Sequence, residues 1–362
     1  MMTLATPCYE CGDKSLIDGL CADCYRRAHP LVEVRSPLKL LACKRCGAVK
    51  VPGGWKTIIE QTSDSEELIE HEIEILLQQE IKTHAADVQL EYSQEKILDR
   101  VRHILVVASG KSEPSLTEHS ESYPIELRFS YGTCDTCAMM SGGYHEAILQ
   151  VRADERQITD KEEDEIVSVV TDLTVAKYGK DVKAFVTEVS RDKYGLDFKI
   201  GSEHLCRRIA DELQERYLAQ RKENYRLVGE DKAGKKKYRI TILIRLQRFT
   251  IGDFLRIDSK PCQVTSMGRG GLRCYSLLDG NRFTINPKSA KWRTIEFISP
   301  ESDKRQFMIV SNHHSQPVQI MDSKSFDMHE IDQKDLTIDV STRETVFGVY
   351  LDDRVYLIPS DD

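Results

Sequence analysis

Apolar positions along this chain switch between helical and alternating spacing, and the switches mark out its elements. Leu68, Ile69, Ile73, Leu76 and Leu77 recur every three or four residues and predict a helix over 66–79. A second apolar-periodic stretch runs through Ile97, Val101, Ile104 and Leu105. The polar, turn-rich segment 109–122 reads as a mobile loop, and a strand over 125–131 follows it. Residues 144–151 alternate as a strand. Thr159-Asp-Lys-Glu162 is a capping-box signature that opens a helix ending near Gly179. A strand over 182–189, a turn over 191–195 and a strand over 196–200 come next. Leu205, Ile209, Leu213 and Tyr217 form the apolar stripe of another helix, and a hairpin of 225–228 with 238–246 closes the region. This order, β-α-β-β-α-β with one extra strand, predicts an α/β sandwich of a kind common among RNA-associated domains. From Phe249 onward the pattern is short strands and turns. About five strands between 252 and 297 predict a small barrel. Runs at 306–310, 318–321, 336–340, 347–351 and 355–358 predict a second, OB-like barrel.

A chain of 362 residues with 40% hydrophobic and 30% charged content suits a soluble protein of two to four domains. No apolar run approaches the ~20 residues of a membrane helix, and the N-terminus lacks the basic start and apolar stretch of a secretory signal. A cytoplasmic location is therefore expected, where thiols stay reduced and C-x-x-C pairs favour metal over disulfides. The net charge of −8 is unevenly spread: +4 over 1–56, −10 over 57–125, −6 over 126–198, +12 over 199–295 and −8 over 296–362. The two basic segments are the candidate surfaces for a polyanion. The acidic final segment makes direct RNA contact by the last barrel less expected.

Eight of the 11 cysteines form four C-x-x-C pairs: Cys8/Cys11, Cys21/Cys24, Cys43/Cys46 and Cys134/Cys137. Four pairs supply the thiolates of two complete tetrahedral zinc sites, with no position left open for a catalytic water. Two structural Zn²⁺ ions are expected, with either sequential or crossed pairing of the knuckles. Gly12 and Gly47 follow their knuckles and suit the left-handed backbone of such turns. Cys206, Cys262 and Cys274 are isolated and read as small core residues. His313 and His314 read as turn residues. Cations crowd the knuckles: Arg26 and Arg27 follow Cys24, Lys44 and Arg45 lie between Cys43 and Cys46, and Lys50 precedes Trp55. They suit either phosphate or the −2 charge of a zinc–thiolate cluster. Further candidates for RNA are Arg207 and Arg208 on a helix, Lys235, Lys236 and Lys237 at the hairpin tip, and Arg269, Arg273, Arg282, Lys288, Lys291 and Arg293 in the small barrel.

The chain carries no G-x-S-x-G, no Walker loop and no H-E-x-x-H, so a binding or assembly protein is expected rather than an enzyme. The main alternative is a zinc-ribbon adaptor between proteins, as in transcription or ubiquitin-like pathways.

The cysteine layout resembles one family, the export adaptors of the large ribosomal subunit named after nonsense-mediated decay. The last pair, Cys134-Asp-Thr-Cys137, is followed by Tyr144-His-Glu-Ala-Ile-Leu-Gln-Val-Arg152, and the first block runs Cys8-Tyr-Glu-Cys11-Gly to Cys21-Ala-Asp-Cys24-Tyr25. The resemblance spans the chain. It implies a multidomain α+β protein: an N-terminal double zinc-ribbon or treble-clef-like domain (1–143) with an acidic helical insertion at about 57–125, a middle α/β sandwich (144–248), an SH3-like barrel (249–300) and an OB-like barrel (301–362). It also implies a monomer that binds the intersubunit face of the large subunit during late assembly, contacting rRNA and ribosomal proteins near the tRNA exit site beside other assembly factors. Neither a membrane nor a small-molecule substrate is implied. The last two domains look like translation factor five-A, but the loop around Met267–Gly271 carries Arg269 and no lysine, so the modified lysine of that factor is not expected. The sequence ends at Pro359-Ser-Asp-Asp362, without the exportin-binding tail of eukaryotic members. That predicts a short, archaeal-type member and argues against an export role.

Overall fold

The computed structural model describes residues 6–58, 64–85, 87–230, 234, 236–313 and 316–359. The chain is mixed α+β and mostly strands. It divides into two compact units, one of Met1–Gly142 with Tyr178–Val182, the other of Gly143–Lys177 with Lys183–Asp362. No helix among the described residues is long and apolar enough to cross a membrane.

In chain order the first unit contains α1 (Ala22–Ala28), β1 (Val32–Glu33), β2 (Leu38–Cys43), β3 (Val49–Val51), β4 (Gly54–Lys56), α2 (Ser65–Glu80), β5 (Lys82–Thr83), β6 (Gln89–Leu98), β7 (Val101–Gly110), β8 (His119–Gly132) and α3 (Asp135–Ser141). Among the described residues, six strands form one sheet in the order β4-β3-β2-β8-β7-β6. Helix α2 lays Ile73, Leu76 and Leu77 on its inner face, against Leu40, Ile104, Val106, Ile125 and Leu127. Arg102, buried in β7, donates to Glu66 at 2.8 Å and so ties the start of α2 to the sheet.

The helix expected over 66–79 is α2, but the rest of the acidic insertion is sheet rather than helix. Ile97, Val101, Ile104 and Leu105 fall on β6 and β7, where Arg102, Ile104, Val106 and Ala108 are buried at every second position. The β-branched content of this run favours extended backbone, and pairing with β8 decides it. Nor is 109–122 a loop throughout, since β8 begins at His119. The remaining loop docks on the first cysteine cluster through Leu116, and Thr117 accepts from Arg26 at 2.8 Å.

The second unit opens with β9 (Ala147–Ala153), α4 (Asp160–Val175), β10 (Val186–Asp192), β11 (Gly195–Ile200), α5 (Glu203–Tyr217), β12 (Gln220–Glu230) and β13 (Lys236–Leu246). Their sheet runs β10-β11-β9-β13-β12, with β13 parallel to β9. Both helices cover one face, where Ile166, Ile209 and Leu213 meet Leu149, Phe198, Ile240, Ile242 and Ile244. The capping box forms as its sequence requires: Thr159 accepts from the Glu162 amide, and Glu162 accepts from the Thr159 amide.

Two antiparallel five-stranded sheets follow. The first holds β14 (Phe254–Ile257), β15 (Lys260–Gly268), β16 (Gly271–Ser276), β17 (Arg282–Ile285) and β18 (Glu296–Ser299) in the order β17-β16-β15-β14-β18. The second holds β19 (Arg305–Ser311), β20 (Val318–Asp322), β21 (Met328–Ile331), β22 (Thr345–Leu351) and β23 (Arg354–Ile358) in the order β21-β20-β19-β22-β23. Phe254, Tyr275 and Leu277 of the first pack with Val349, Leu351 and Ile358 of the second. The strand expected over 336–340 does not form, and Met328–Ile331 takes a place in the sheet instead. Leu336, Ile338 and Val340 do face the core, but their backbone stays outside the ladder, where the Thr337 carbonyl accepts from Tyr275 at 3.0 Å. Alternation reported burial there, not strand pairing.

Candidate metal centres and basic surfaces

The eight paired cysteines are brought together four and four, in chain order. Cys8, Cys11, Cys21 and Cys24 form one cluster, and Cys43, Cys46, Cys134 and Cys137 the other, with all sulfurs of a cluster within 4.8 Å of one another. Both are built alike. The first pair of each sits on a turn closed by a glycine: the Gly12 amide donates to the Cys8 carbonyl and the Gly47 amide to that of Cys43, each at 2.9 Å. These glycines have φ of +84° and +70°, the region only glycine enters at little cost. The second pair of each sits at the start of a short helix, with Cys21 before α1 and Cys134 before α3.

Parallel pairing explains how the second cluster joins Cys43 to Cys134, 91 positions further along the chain. Strands β2 and β8 run side by side, with Cys43 opposite Gly132. Both knuckles therefore leave the same end of the sheet. The Lys44 amide donates to the Gly132 carbonyl at 3.1 Å, and the Cys134 amide donates to Cys43 Sγ at 3.3 Å.

The donor sets suit a tetrahedral thiophilic cation. Cys11 and Cys21 are 3.4 Å apart and Cys46 and Cys134 3.6 Å, close to the edge of about 3.8 Å expected for a tetrahedron with ~2.3 Å arms. Burial works against ionising Cys8, yet the amides of Cys11, Cys21 and Glu10 hold its thiol down at about 6. Cys43 is likewise held at about 6 against burial, by the amides of Cys134, Arg45 and Cys46. Burial and the neighbouring Cys134 push Cys46 up to about 11. Burial, then the adjoining sulfurs, drive Cys24 and Cys137 upward as well. Each cluster thus has one thiol ready as thiolate and partners whose ionisation a divalent cation would compensate. Both clusters are compatible with structural zinc.

The basic candidates are not gathered into one patch. Arg27 donates to Cys24 Sγ at 3.0 Å, which favours charge balance at the cluster over phosphate binding. Arg26 is held by Thr117 and Asp23. Lys44 is exposed, Arg45 donates to Ser141, and Lys50 lies 5.4 Å above the Trp55 ring. Arg207 is bound by Glu203 and Glu223 at 3.0 and 2.9 Å, and Arg269 by Glu212 and Glu215 at 3.2 and 2.5 Å. Lys291 reaches Asp258 at 3.6 Å. Arg208, Lys236, Lys237, Arg273, Arg282, Lys288 and Arg293 are exposed. Lys235 and His314 lie outside the described residues.

Two family models match in succession: "NMD3, N-terminal domain" over residues 8–142 and "NMD3, second domain" over residues 144–246. This chain belongs to the NMD3 family. Membership makes it a factor associated with the large ribosomal subunit, as the cysteine layout implied. A search of the curated proteins finds no match. Among solved structures, eukaryotic translation initiation factor 5A from Methanococcus jannaschii matches at 18% identity, covering 30% of this chain and 88% of that one. Its TM-score of 0.21 is too low for the likeness to carry an argument.

Sequence reasoning missed a row of cations in this NMD3-family chain. Lys222, Arg226 and Arg239 lie on β12 and β13 with side chains on the sheet face away from α4 and α5, a side shared by Lys237. The available signal was the two-residue period of Lys237, Arg239 and Arg245, interleaved with the apolar Ile240, Ile242 and Ile244.

Proposed function

We propose that this chain is a non-enzymatic factor that binds the intersubunit face of the large ribosomal subunit in late assembly. It contacts rRNA and ribosomal proteins near the tRNA exit site and thereby blocks premature joining of the small subunit. The observation that carries this reading is the end-to-end match of both NMD3 domains across 8–246, with the two four-cysteine clusters inside the first. In this reading the eight clustered cysteines hold two structural Zn²⁺ ions that do no chemistry and stiffen a platform for exposed cations such as Lys44 and Arg45. The four-domain division, with SH3-like and OB-like barrels last, and a cytoplasmic site of action belong to the same proposal. The segmental charge supports it: a chain of net −8 concentrates +12 on residues 199–295.

Cosedimentation of the zinc-loaded protein with purified large subunits over a salt series tests the reading. Binding is expected at low salt, with affinity falling steeply as salt rises, because each phosphate contact releases counterions. No binding at the lowest salt sinks the proposal.

A further inference from the structure

We infer that the helix-free face of the second unit's first sheet is a docking surface for double-stranded RNA, gripped by its phosphates at Lys222, Arg226, Lys237 and Arg239. The inference deepens the reading above, and rests on it, by naming the RNA form and the residues that hold it.

Alternate positions on β13 divide between two faces. Ile240, Ile242 and Ile244 have no exposure and pack under the helices, so Lys237, Arg239, Thr241, Leu243 and Arg245 face the other way. On β12, Arg221 and Glu223 reach back to Asp211 and Arg207 of α5, which places Lys222, Asn224 and Arg226 on the open side. The cross-strand register then sets Lys222 beside Leu243, Asn224 beside Thr241 and Arg226 beside Arg239.

Charge on this face is zoned. On β11 and β9 the strand cations have acids, Lys199 with Glu188 at 2.7 Å and Arg152 with Asp197 at 2.7 Å, and near the end of β13 Arg245 has Asp154 at 3.5 Å. On the β12–β13 side, Lys222, Arg226, Lys237 and Arg239 form no ion pair among the described residues. Two guanidinium groups directly opposite on paired strands repel each other, and a fold that keeps them without a carboxylate gives up stability for that arrangement. Nε of Arg239 is also buried without an acceptor. A polyanion neutralises all four cations at once.

The face is also selective about which RNA it suits. Its strand residues include Gln150, Asn224 and Thr241 as neutral hydrogen-bonding groups but no Phe, Tyr or Trp among the described residues, and Tyr194, which borders a recess with Gln150, Arg152 and Leu243, stands in the turn between β10 and β11 rather than on β12 or β13. Sheets that read single strands stack bases on aromatic side chains. A pair of strands with cations and polar groups but no aromatic on their open side suits the phosphates and 2′-hydroxyls of an A-form helix, read by shape.

The test measures binding of the full-length protein to a short RNA duplex of arbitrary sequence and to one of its strands, by fluorescence anisotropy over a salt series. The duplex is expected to bind more tightly than the strand. R226E/R239E should weaken duplex binding at low salt by roughly tenfold or more and lower the log–log salt slope by about two, near 0.9 for each phosphate no longer neutralised. R226Q/R239Q should lose less affinity in the same direction while keeping or raising the melting temperature, which separates weaker phosphate binding from misfolding. Preference for the single strand, unchanged duplex binding in both variants, or weakening with no change in salt slope would each overturn the inference. So would tighter binding to polyglutamate than to the duplex, which would make the face a site for acidic protein. If wild type and R226E/R239E cosediment equally with large subunits, the inference falls and the proposed function stands. If wild type fails to cosediment yet binds duplex through these arginines, the reverse holds.

Discussion

Arg27 shows how far a single residue can be read before its surroundings are known. Its place after Cys24 allowed phosphate binding or charge balance, and the sequence does not choose between them. In the fold its Nη2 donates to Cys24 Sγ, a charge-assisted contact to a metal-ligand candidate. R27Q is therefore expected to speed zinc release to a chromogenic chelator while leaving the salt slope of subunit binding unchanged. A lower slope with normal zinc retention would return Arg27 to the RNA surface. The cysteines were legible for the opposite reason. Four thiols on two tight turns have few stable fates other than a shared cation, so the residue types and their spacing carry the chemistry.

At the scale of elements, the start of α4 was readable from Thr159 and Glu162 because a capping box is local. The fold adds Arg156, which donates to both carboxylate oxygens of Glu162 at 2.7 Å. Burial alone would raise this carboxyl, but Arg156 and the Thr159 amide outweigh it and hold it below the usual range. Its folded-state value being lowered, its contribution to stability is complete above the ordinary carboxylate range, near pH 4.5, and is lost as pH falls through the lower folded value. E162Q should be less stable than wild type at neutral pH and lose less on acidification. Urea midpoints of both proteins from neutral to acidic pH measure this, and parallel pH profiles would refute it. Strands β6 and β7 resisted reading because Ile97, Val101, Ile104 and Leu105 also satisfy a helical spacing. Antiparallel pairing of β6 with β7 and of β7 with β8 settles the matter, and the spacing of apolar residues along one strand does not report it. At 336–340 the alternation was real, yet β21 occupies the ladder that this run was expected to fill.

Over the whole molecule, the two clusters carry unequal structural loads. The first closes a loop of local chain, whereas the second clamps the ends of β2 and β8 across the acidic insertion. C8S and C134S should each lose one of two zinc equivalents by metal analysis, but C134S should lower the melting temperature more and weaken cosedimentation with large subunits. Removing the clamp frees a far longer loop and leaves the ends of two central strands without their tie. Equal melting temperatures for the two variants would show that the second cluster is no more a scaffold than the first.

The sequence by itself determined the local terms: eight thiols in four knuckles, the capped helix, the β-α-β-β-α-β order and the segmentation of charge. Each depends on residues within a few positions of one another, where spacing translates directly into geometry. Only the tertiary structure decided which knuckles meet, which strand fills a ladder and which cations remain available. Knuckle pairing follows from the parallel register of β2 with β8, and availability follows from where carboxylates such as Glu203, Glu212 and Glu223 come to rest. Those are contacts between distant parts of the chain, and a count of charges along a segment cannot tell an arginine that has found its acid from one, like Arg226, that faces another arginine.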